Sequence, residues 1–263
     1  MGFVRQRRGG GWELDTDKKL GSIISNTIIL EELTTFFGQV GQKERLLDVG
    51  CGTRPYLPLY GSHFRQALGF DVATSKHNLS RADFIASATA IPLPSECCDC
   101  VLCTEVLEHV AEPAQALKEM ARVLRPGGWL VLTVPLLIGL HEEPYDFYRY
   151  TVHGLRYLLK GAGFEVERVV TKGDMLAVTL SSVLGPWFKL WYLASKVTRL
   201  RWLYSARNPV MWLTGVLPHR AYLIWFRLAQ RHPLSPAGRA YRRLEYVTLG
   251  YIVTAKRASE RPE

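Results

Sequence analysis

The chain has 263 residues, of which 48% are hydrophobic and 22% are charged, and its formal net charge is +9. These values fit one sizeable globular core with room for one elaboration, and they exclude a wholly disordered chain. From Asp174 to Glu245 the sequence holds eleven lysines and arginines and only these two acids, so this block alone carries the excess charge. A partner that recognises positive charge would therefore bind this block.

The beginning of the chain is basic but lacks the apolar run of a signal peptide, so residues 1–19 are predicted to be a flexible tail. The five cysteines do not form the framework of a secreted disulfide protein, because four of them stand between Cys97 and Cys103. They favour a reducing, cytoplasmic compartment. Cys100 and Cys103 have the spacing of metal ligands, but no second pair completes a tetrahedral set, and we predict no metal site.

Beyond the tail, short apolar runs alternate with amphipathic segments. Helices are predicted at three places: Leu20–Val40, Glu112–Leu124 and Thr151–Ala162. Strands are predicted at seven: Arg45–Gly50, Gln66–Val72, Asp83–Ala86, Asp99–Cys103, Trp129–Val134, Phe164–Val170 and Leu249–Ala255. The proline and glycines of Arg125–Gly128 predict a turn after the second helix.

This alternation predicts an α/β fold with a doubly wound, mostly parallel, seven-stranded sheet that binds ligands at the carboxyl ends of its strands. The predicted domain occupies residues 20–173. A helical insertion is predicted at residues 174–246, before the last strand and tail at 247–263.

The first chemical motif is the glycine loop after the first strand, where residues 48–53 read DVGCGT. Glycine lets the backbone adopt positive φ and approach a ligand closely, and Asp71 at the end of the next strand is placed for a ribose diol. A dinucleotide site would need a third glycine, but the register puts Pro55 there, which disfavours NAD and FAD.

Further motifs accompany this loop. Residues 46–53, 69–71, 90–94, 103–110 and 121–128 read LLDVGCGT, GFD, AIPLP, CTEVLEHV and ARVLRPGG. In this order and spacing the chain resembles the class I, type 11 methyltransferases that depend on S-adenosylmethionine (SAM), over about residues 40–172 and the last strand. The resemblance implies a Rossmann-like methyltransferase fold and SAM as the cofactor.

The resemblance also implies roles for individual residues, beginning with Asp48 in the glycine motif. Gly50, Cys51 and Gly52 would pass under the methionine part of SAM, and Asp71 would bind the ribose hydroxyls. The adenine would lie against Val72, Ser87 and Ala88, and the sulfonium between Cys103 and Thr104. The chain departs from the family at Arg54-Pro55, where a glycine is common, and at Ser87, where an acid is common. These departures predict weaker SAM affinity.

A loop rich in polar groups follows the fifth strand, where residues 141–151 read HEEPYDFYRYT. This stretch resembles a subgroup of these methyltransferases that is associated with surface-glycan and lipid-linked gene clusters. We interpret His141 as a candidate base, with Asp146 orienting it and Arg149 holding an anionic acceptor. His109 would face the cleft or cap the next helix. In the alternative interpretation, Asp146 and Arg149 simply pair with each other.

The insertion combines five of the seven tryptophans with basic stripes. Lys189, Lys196 and Arg199 recur at helical spacing, and so do Arg220, Arg227 and Arg231. No uncharged run reaches the roughly 18–20 residues of a membrane span. Three hypotheses stay open: a helical cap or dimer surface, a module that lies on a membrane, and, less favoured, a nucleic-acid surface.

Taken together, these features predict a SAM-dependent methyltransferase that acts on an oxygen or carboxylate of a small, saccharide or lipid-linked acceptor. Its predicted location is cytoplasmic, with peripheral contact to a membrane through residues 175–246. The alternatives are a scaffold of the same fold that has lost turnover and an RNA-directed methyltransferase.

Overall fold

The structure is a computed structural model, and it describes residues 4–6, 12–14, 22–204, 208–231 and 247–259. The chain divides into two compact units. One comprises Glu32–Val170 and Gly250–Glu263, and the other comprises Met1–Glu31 and Thr171–Leu249. The predicted domain boundaries stay predictions.

Nine strands are described: β1 (Val4–Gln6), β2 (Trp12–Leu14), β3 (Lys43–Val49), β4 (Phe64–Asp71), β5 (Phe84–Ile85), β6 (Cys98–Thr104), β7 (Leu124–Pro135), β8 (Phe164–Thr171) and β9 (Gly250–Arg257). β1 and β2 pair with each other in antiparallel fashion, within the segment predicted to be a flexible tail. The other seven form one sheet, which confirms the predicted number of strands, and their order is β5-β4-β3-β6-β7-β9-β8.

Most neighbours in this sheet run parallel, and β9 runs antiparallel to β7. The interior strand β3 is buried on both faces, since Leu46, Leu47 and Val49 are buried and so is Asp48 among them, as is typical of parallel sheets covered by helices. The helices that accompany the sheet are α1 (Ile23–Val40), α2 (Leu57–Tyr60), α3 (Pro113–Val123) and α4 (Val152–Gly161). The hydroxyl of Thr151 caps α4 as predicted, by accepting a hydrogen bond from the Gly154 amide.

The predicted turn at Arg125–Gly128 lies inside β7, where it forms an irregularity of the strand. Leu124 pairs with Cys98 and Trp129 with Cys100, so the residues between Leu124 and Trp129 bulge out of the ladder. Gly127 has φ +72°, the conformation for which the glycines were expected. The turn chemistry was recognised, but strand pairing continues on both sides of it.

The described part of the predicted insertion belongs to the second unit, and this part is helical. Asp174 caps α5 (Met175–Thr198) by accepting from the amides of Leu176 and Ala177. Beyond it lie a 3-10 turn (Arg201–Tyr204), α6 (Pro209–Met211), a π-helical turn (Trp212–Val216) and α7 (Leu217–Arg231). The insertion's residues 205–207 and 232–246 lie outside the described part of the chain. Among the described helices, none has the length and apolar character that crossing a membrane requires.

Candidate active site

The glycine loop leaves β3 in a conformation that only glycine adopts readily. Gly50 and Gly52 have φ +63° and +49°. A β-carbon on Gly50 would collide with the side chain of Val106, so the loop packs tightly against the segment after β6. The Cys51 amide donates to the carbonyl of Phe70 at 2.9 Å, which ties the loop to β4.

Asp71 ends β4 beside this loop. Its carboxylate accepts 2.9 Å and 2.7 Å hydrogen bonds from the backbone amides of Gly52 and Val72. These two amides fix the carboxylate, yet each oxygen keeps a lone pair for a further donor. The position therefore suits the binding of a diol.

A cavity of about 370 Å³ opens above Asp71, within the roughly 300–1,000 Å³ that ligand pockets occupy. One side of it is lined by the predicted cofactor residues Gly50, Asp71, Val72, Ser87 and Ala88. The Ser87 hydroxyl lies 2.8 Å from that of Thr89, so the two hydroxyls share one hydrogen bond. The structure thus brings five of the ten predicted cofactor residues to one cavity.

The wall at the end of β6 differs from the prediction. Cys103 and Thr104 belong to the strand, and the cavity is lined instead by Glu105 and Val106. The reason is that pairing with β7 continues through Thr104, and the chain turns only at Glu105, which has φ +53°. The Thr133 hydroxyl donates to the Glu105 carboxylate at 2.7 Å and fixes its position.

Asp48 and Cys51, also predicted at the cofactor, do not line the cavity either. Tyr60 donates to the buried Asp48 carboxylate at 2.6 Å, and burial raises the pKa of this carboxyl to about 7. The Cys51 side chain lies against Gly69, and burial raises the pKa of its thiol to about 12. Asp48 belongs to β3 and Cys51 to the loop that follows it, and the side chains of both are buried outside the cavity lining.

Arg54, which was expected to weaken the cofactor site, points away from the cavity. Its guanidinium donates to Asp83 at 2.9 Å and to the carbonyl of Ala67 at 2.6 Å, and it lies 3.3 Å from the Tyr60 hydroxyl. Its side chain is almost fully buried in this network. Arg54 therefore anchors the glycine loop to β4 and does not obstruct the cavity.

In the loop after β7, Arg149 holds Asp146 with two hydrogen bonds of 2.6 Å and 2.8 Å. These bonds keep the pKa of the Asp146 carboxyl well below its ordinary value. The backbone amide of His141 also donates to Asp146, and the two side chains lie 3.5 Å apart. Asp146 and Arg149 thus pair with each other, and this pairing keeps the Arg149 guanidinium within the loop.

His109 lines the cavity, whereas His141 does not, and the ring centroids of the two histidines lie 4.8 Å apart. The Nδ1 atom of His109 lies 2.7 Å from the carbonyl oxygen of Tyr145. A carbonyl can only accept a hydrogen bond, so Nδ1 carries the proton and Nε2 keeps its lone pair in the neutral ring. The carboxylate of buried Glu108 lies 3.9 Å from Nε2.

Ligand atoms of Glu108, His109 and His141 all lie within 4.8 Å of one another, a spacing that an ion could bridge. The guanidinium of Arg149 lies 3.5 Å from Nδ1 of His141, and its positive charge opposes a cation at this position. Cys100 and Cys103, whose spacing is that of metal ligands, are buried within β6.

Two segments that are remote in sequence meet at the cavity, and no sequence pattern indicated their contact. His77 lies 3.2 Å from the carboxylate of Glu142, and Lys76 donates to the carbonyl of Glu143 at 2.7 Å. His77, Glu142 and Phe147 all line the cavity. Only the folded chain reveals these residues, because no local pattern links the segment after β4 with the loop after β7.

Residues 47–132 match the family model described as "Methyltransferase domain". A Mycolicibacterium smegmatis protein described as "Probable S-adenosylmethionine-dependent methyltransferase" is 31% identical over 46% of this chain and 52% of its own length. A Bordetella avium ubiquinone biosynthesis O-methyltransferase is 27% identical over 57% of this chain and 63% of its own. The chain thus spans less than two thirds of these curated relatives.

Among solved structures, that of the cyclase SpnF is similar over 88% of this chain and 82% of its own, with a TM-score of 0.53 and 21% sequence identity. At this identity the likeness concerns the fold, which many different activities share.

Proposed function

We propose that the protein, whose residues 47–132 match the family model of a methyltransferase domain, transfers the methyl group of SAM to an oxygen of its acceptor. The observation that carries the proposal is the cavity in which the fixed carboxylate of Asp71 and the ring of His109 share one lining. The Asp71 carboxylate can accept hydrogen bonds from the ribose hydroxyls, and the His109 ring can accept a proton. Their combination is what methylation of a hydroxyl requires.

The residues present fit the cofactor. Asp71 would bind the ribose hydroxyls, Gly50 would leave room for the methionine part, and Val72 and Ala88 would pack on the adenine. Ser87 would accept a hydrogen bond from the adenine edge without the charge of a carboxylate. When bound, SAM supplies an electrophilic methyl group on its sulfonium.

His109 is our candidate base. Its neutral tautomer keeps the Nε2 lone pair available, so this atom can take the proton of an acceptor hydroxyl. The adjacent carboxylate of Glu108 would stabilise the imidazolium that forms. His141 packs against His109 and would hold the ring in place. This division of roles replaces the hypothesis that His141 itself is the base and that Arg149 binds the acceptor.

For the acceptor we propose a small, saccharide or lipid-linked molecule with a hydroxyl or carboxyl group. The relative from ubiquinone biosynthesis bears the name of an O-methyltransferase, which supports oxygen as the methylated atom. The scaffold alternative rested on Arg54 and Ser87, and it loses the first of these supports because Arg54 stays outside the cavity, whereas Ser87 lines it. A cytoplasmic location, with contact to a membrane, remains part of the proposal.

The first test is calorimetric titration with SAM and with its demethylated product. We expect affinities on the order of micromolar and a loss of at least about tenfold in Asp71→Ala, since a fixed hydrogen-bonding group is removed. Asp99→Ala is the matched control, because Asp99 also accepts from two backbone amides, those of Glu44 and Arg45, but lies outside the cavity. Absence of binding by both ligands would overturn the proposal.

The second test follows radiolabelled methyl groups from SAM into lipid and glycan extracts. We expect His109→Gln to lower turnover by roughly 10²–10⁴-fold while SAM still binds, because glutamine cannot accept the proton. His141→Gln should have a smaller effect. If His109→Gln retains full turnover, the base is another group, and if His141→Gln is the inactive variant, the two roles are reversed.

A further inference from the structure

We propose that the helical unit, residues 175–231, docks on a membrane surface that contains anionic lipids. The proposal concerns a surface apart from the cavity, and its test does not depend on methyl transfer.

The first observation is a row of exposed aliphatic side chains on α5. Leu176, Val183, Leu190 and Val197 recur every seven residues, which keeps them on one side of the helix. Leu190 is 58% exposed and Val197 is 83% exposed. On the opposite side of α5, Phe188 is buried in the unit. The helix is therefore apolar on its solvent side as well as on its packed side.

The same arrangement recurs in the second half of the unit. Leu213, Ile224 and Leu228 are at least half exposed, whereas Tyr222 and Phe226 of α7 are buried. Exposed aliphatic rows on two helices of one small unit exceed the scattered apolar residues of an ordinary protein surface. They require a partner that takes up aliphatic side chains.

The second observation is the charge of the unit. Residues 175–231 contain no aspartate or glutamate and eight lysines and arginines. Lys189 and Lys196 directly precede Leu190 and Val197, and both lysines are exposed. Arg227 alone among the described cations of the unit pairs with an acid, Glu31. Exposed aliphatic groups beside uncompensated positive charge complement a surface of acyl chains and anionic headgroups.

A nucleic acid fits this surface less well. Single strands bind proteins by stacking bases on exposed aromatic rings, and Tyr192, Trp202 and Trp212 are exposed here, but most of the exposed apolar side chains of the unit are aliphatic. Trp187 and Trp191 are half-buried and pack edge-to-face against each other, with ring centroids 5.8 Å apart. Trp187 also donates to the hydroxyl of Thr214 at 2.9 Å. These two tryptophans belong to the packing of the unit.

A second copy of the chain fits less well for a reason of symmetry. A twofold interface places the same patch on both sides, so the exposed lysines of one copy would face those of the other. The unit offers no acid between residues 175 and 231 to offset this repulsion. An anionic lipid surface would face these lysines with opposite charge, so no such repulsion arises.

The test is co-flotation of the full chain with vesicles of equal parts phosphatidylglycerol and phosphatidylcholine at about 0.15 M salt. We expect binding, and a loss of about tenfold when Leu190→Ser and Val197→Ser are combined, because two aliphatic groups no longer enter the bilayer. Tyr157→Ser is the matched control, since Tyr157 on α4 is 80% exposed but belongs to the other unit. It should bind like the unaltered chain.

A second pair of substitutions tests the charges. Lys189→Gln combined with Lys196→Gln should weaken binding to the anionic vesicles by roughly tenfold and leave the weak binding to pure phosphatidylcholine unchanged. This pair also serves if the serine pair fails to fold by circular dichroism.

Four results would overturn the proposal. One is no flotation of the unaltered chain. Another is equal flotation of the serine pair and the unaltered chain. The third is a dimer in sedimentation that the serine pair dissociates, with no vesicle binding, which would make a second copy the occupant. Retention on single-stranded RNA in place of vesicles would likewise assign the surface to a nucleic acid and refute the lipid.

Discussion

Arg54 Nη1 donates a 2.9 Å hydrogen bond to Asp83 Oδ2, and Asp83 in turn accepts from the amide of Gly69 in β4. Arg54→Met would leave Asp83 without its cation and the carbonyl of Ala67 without its donor. We expect the free energy of unfolding to fall by about 2 kcal/mol, less than for a fully enclosed pair because Asp83 is partly exposed. Urea denaturation measures the change.

The control for this variant is Arg65→Met. Arg65 pairs with Glu44 at 3.6 Å on an exposed surface, where an ion pair contributes less than about 1 kcal/mol. Affinity for SAM should change little in either variant, since neither arginine lines the cavity. A large gain in SAM affinity on removing Arg54 would contradict the position that the structure gives it.

The raised pKa of Asp48 leads us to expect an unusual dependence of stability on pH. Burial raises its pKa to about 7 from an ordinary 3.8. Between these values the folded chain binds a proton that the unfolded chain has released, so this group lowers the free energy of unfolding as pH rises from about 4 to about 7. Asp48→Asn has no such titration. Relative to the unaltered chain, the variant should gain about 2 kcal/mol between about pH 5 and about pH 8.

Asp99→Asn is the control for this measurement. Hydrogen bonds from Arg45 and Arg125 lower the pKa of Asp99 despite its partial burial, so its titration ends below this pH range. Urea unfolding at several pH values should give parallel curves for Asp99→Asn and the unaltered chain. Parallel curves for Asp48→Asn as well would mean that Asp48 is ionised throughout.

Gly50 and Gly127 share positive φ but differ in their surroundings. A β-carbon at Gly50 meets Val106, whereas one at Gly127 meets nothing within 4 Å. Gly127→Ala should cost about 1 kcal/mol, the strain of the left-handed conformation alone. Gly50→Ala should cost clearly more and lower SAM affinity at least about tenfold, because the loop must move away from Val106. Thermal unfolding and calorimetry together distinguish the two. Equal effects would show that packing against Val106 is loose.

Much of the fold could be predicted from the sequence, because the chain alternates strands and helices at consistent periods. The seven strands of the large sheet and the Thr151 cap are examples. The bulge within β7 was missed because Pro126 and Gly127 read locally as an end of structure, while pairing to β6 and β9 lies far away in sequence. Local sequence patterns do not indicate which distant strands will pair.

The candidate site was predictable where backbone chemistry dictates it, as at Gly50 and Asp71. It was not predictable where side-chain direction decides. Arg54 has φ +52°, and its guanidinium lies against β4, which no spacing rule foresees. The meeting of His77 with Glu142 likewise depends on the path of two loops.

The place of β9 between β7 and β8 has a consequence for synthesis on the ribosome. Trp129 pairs with Lys256 and Pro135 with Gly250, so the sheet completes only after the whole helical unit has been made. Until then β7 and β8 expose unpaired edges, the feature that makes nascent chains prone to aggregate.

Closing a longer loop between β8 and β9 adds little free energy, because the cost grows only with the logarithm of length. Evolution can therefore lengthen or exchange the insertion without redesigning the sheet. The chain must then protect β7 and β8 for the extra seconds that translation of the insertion requires.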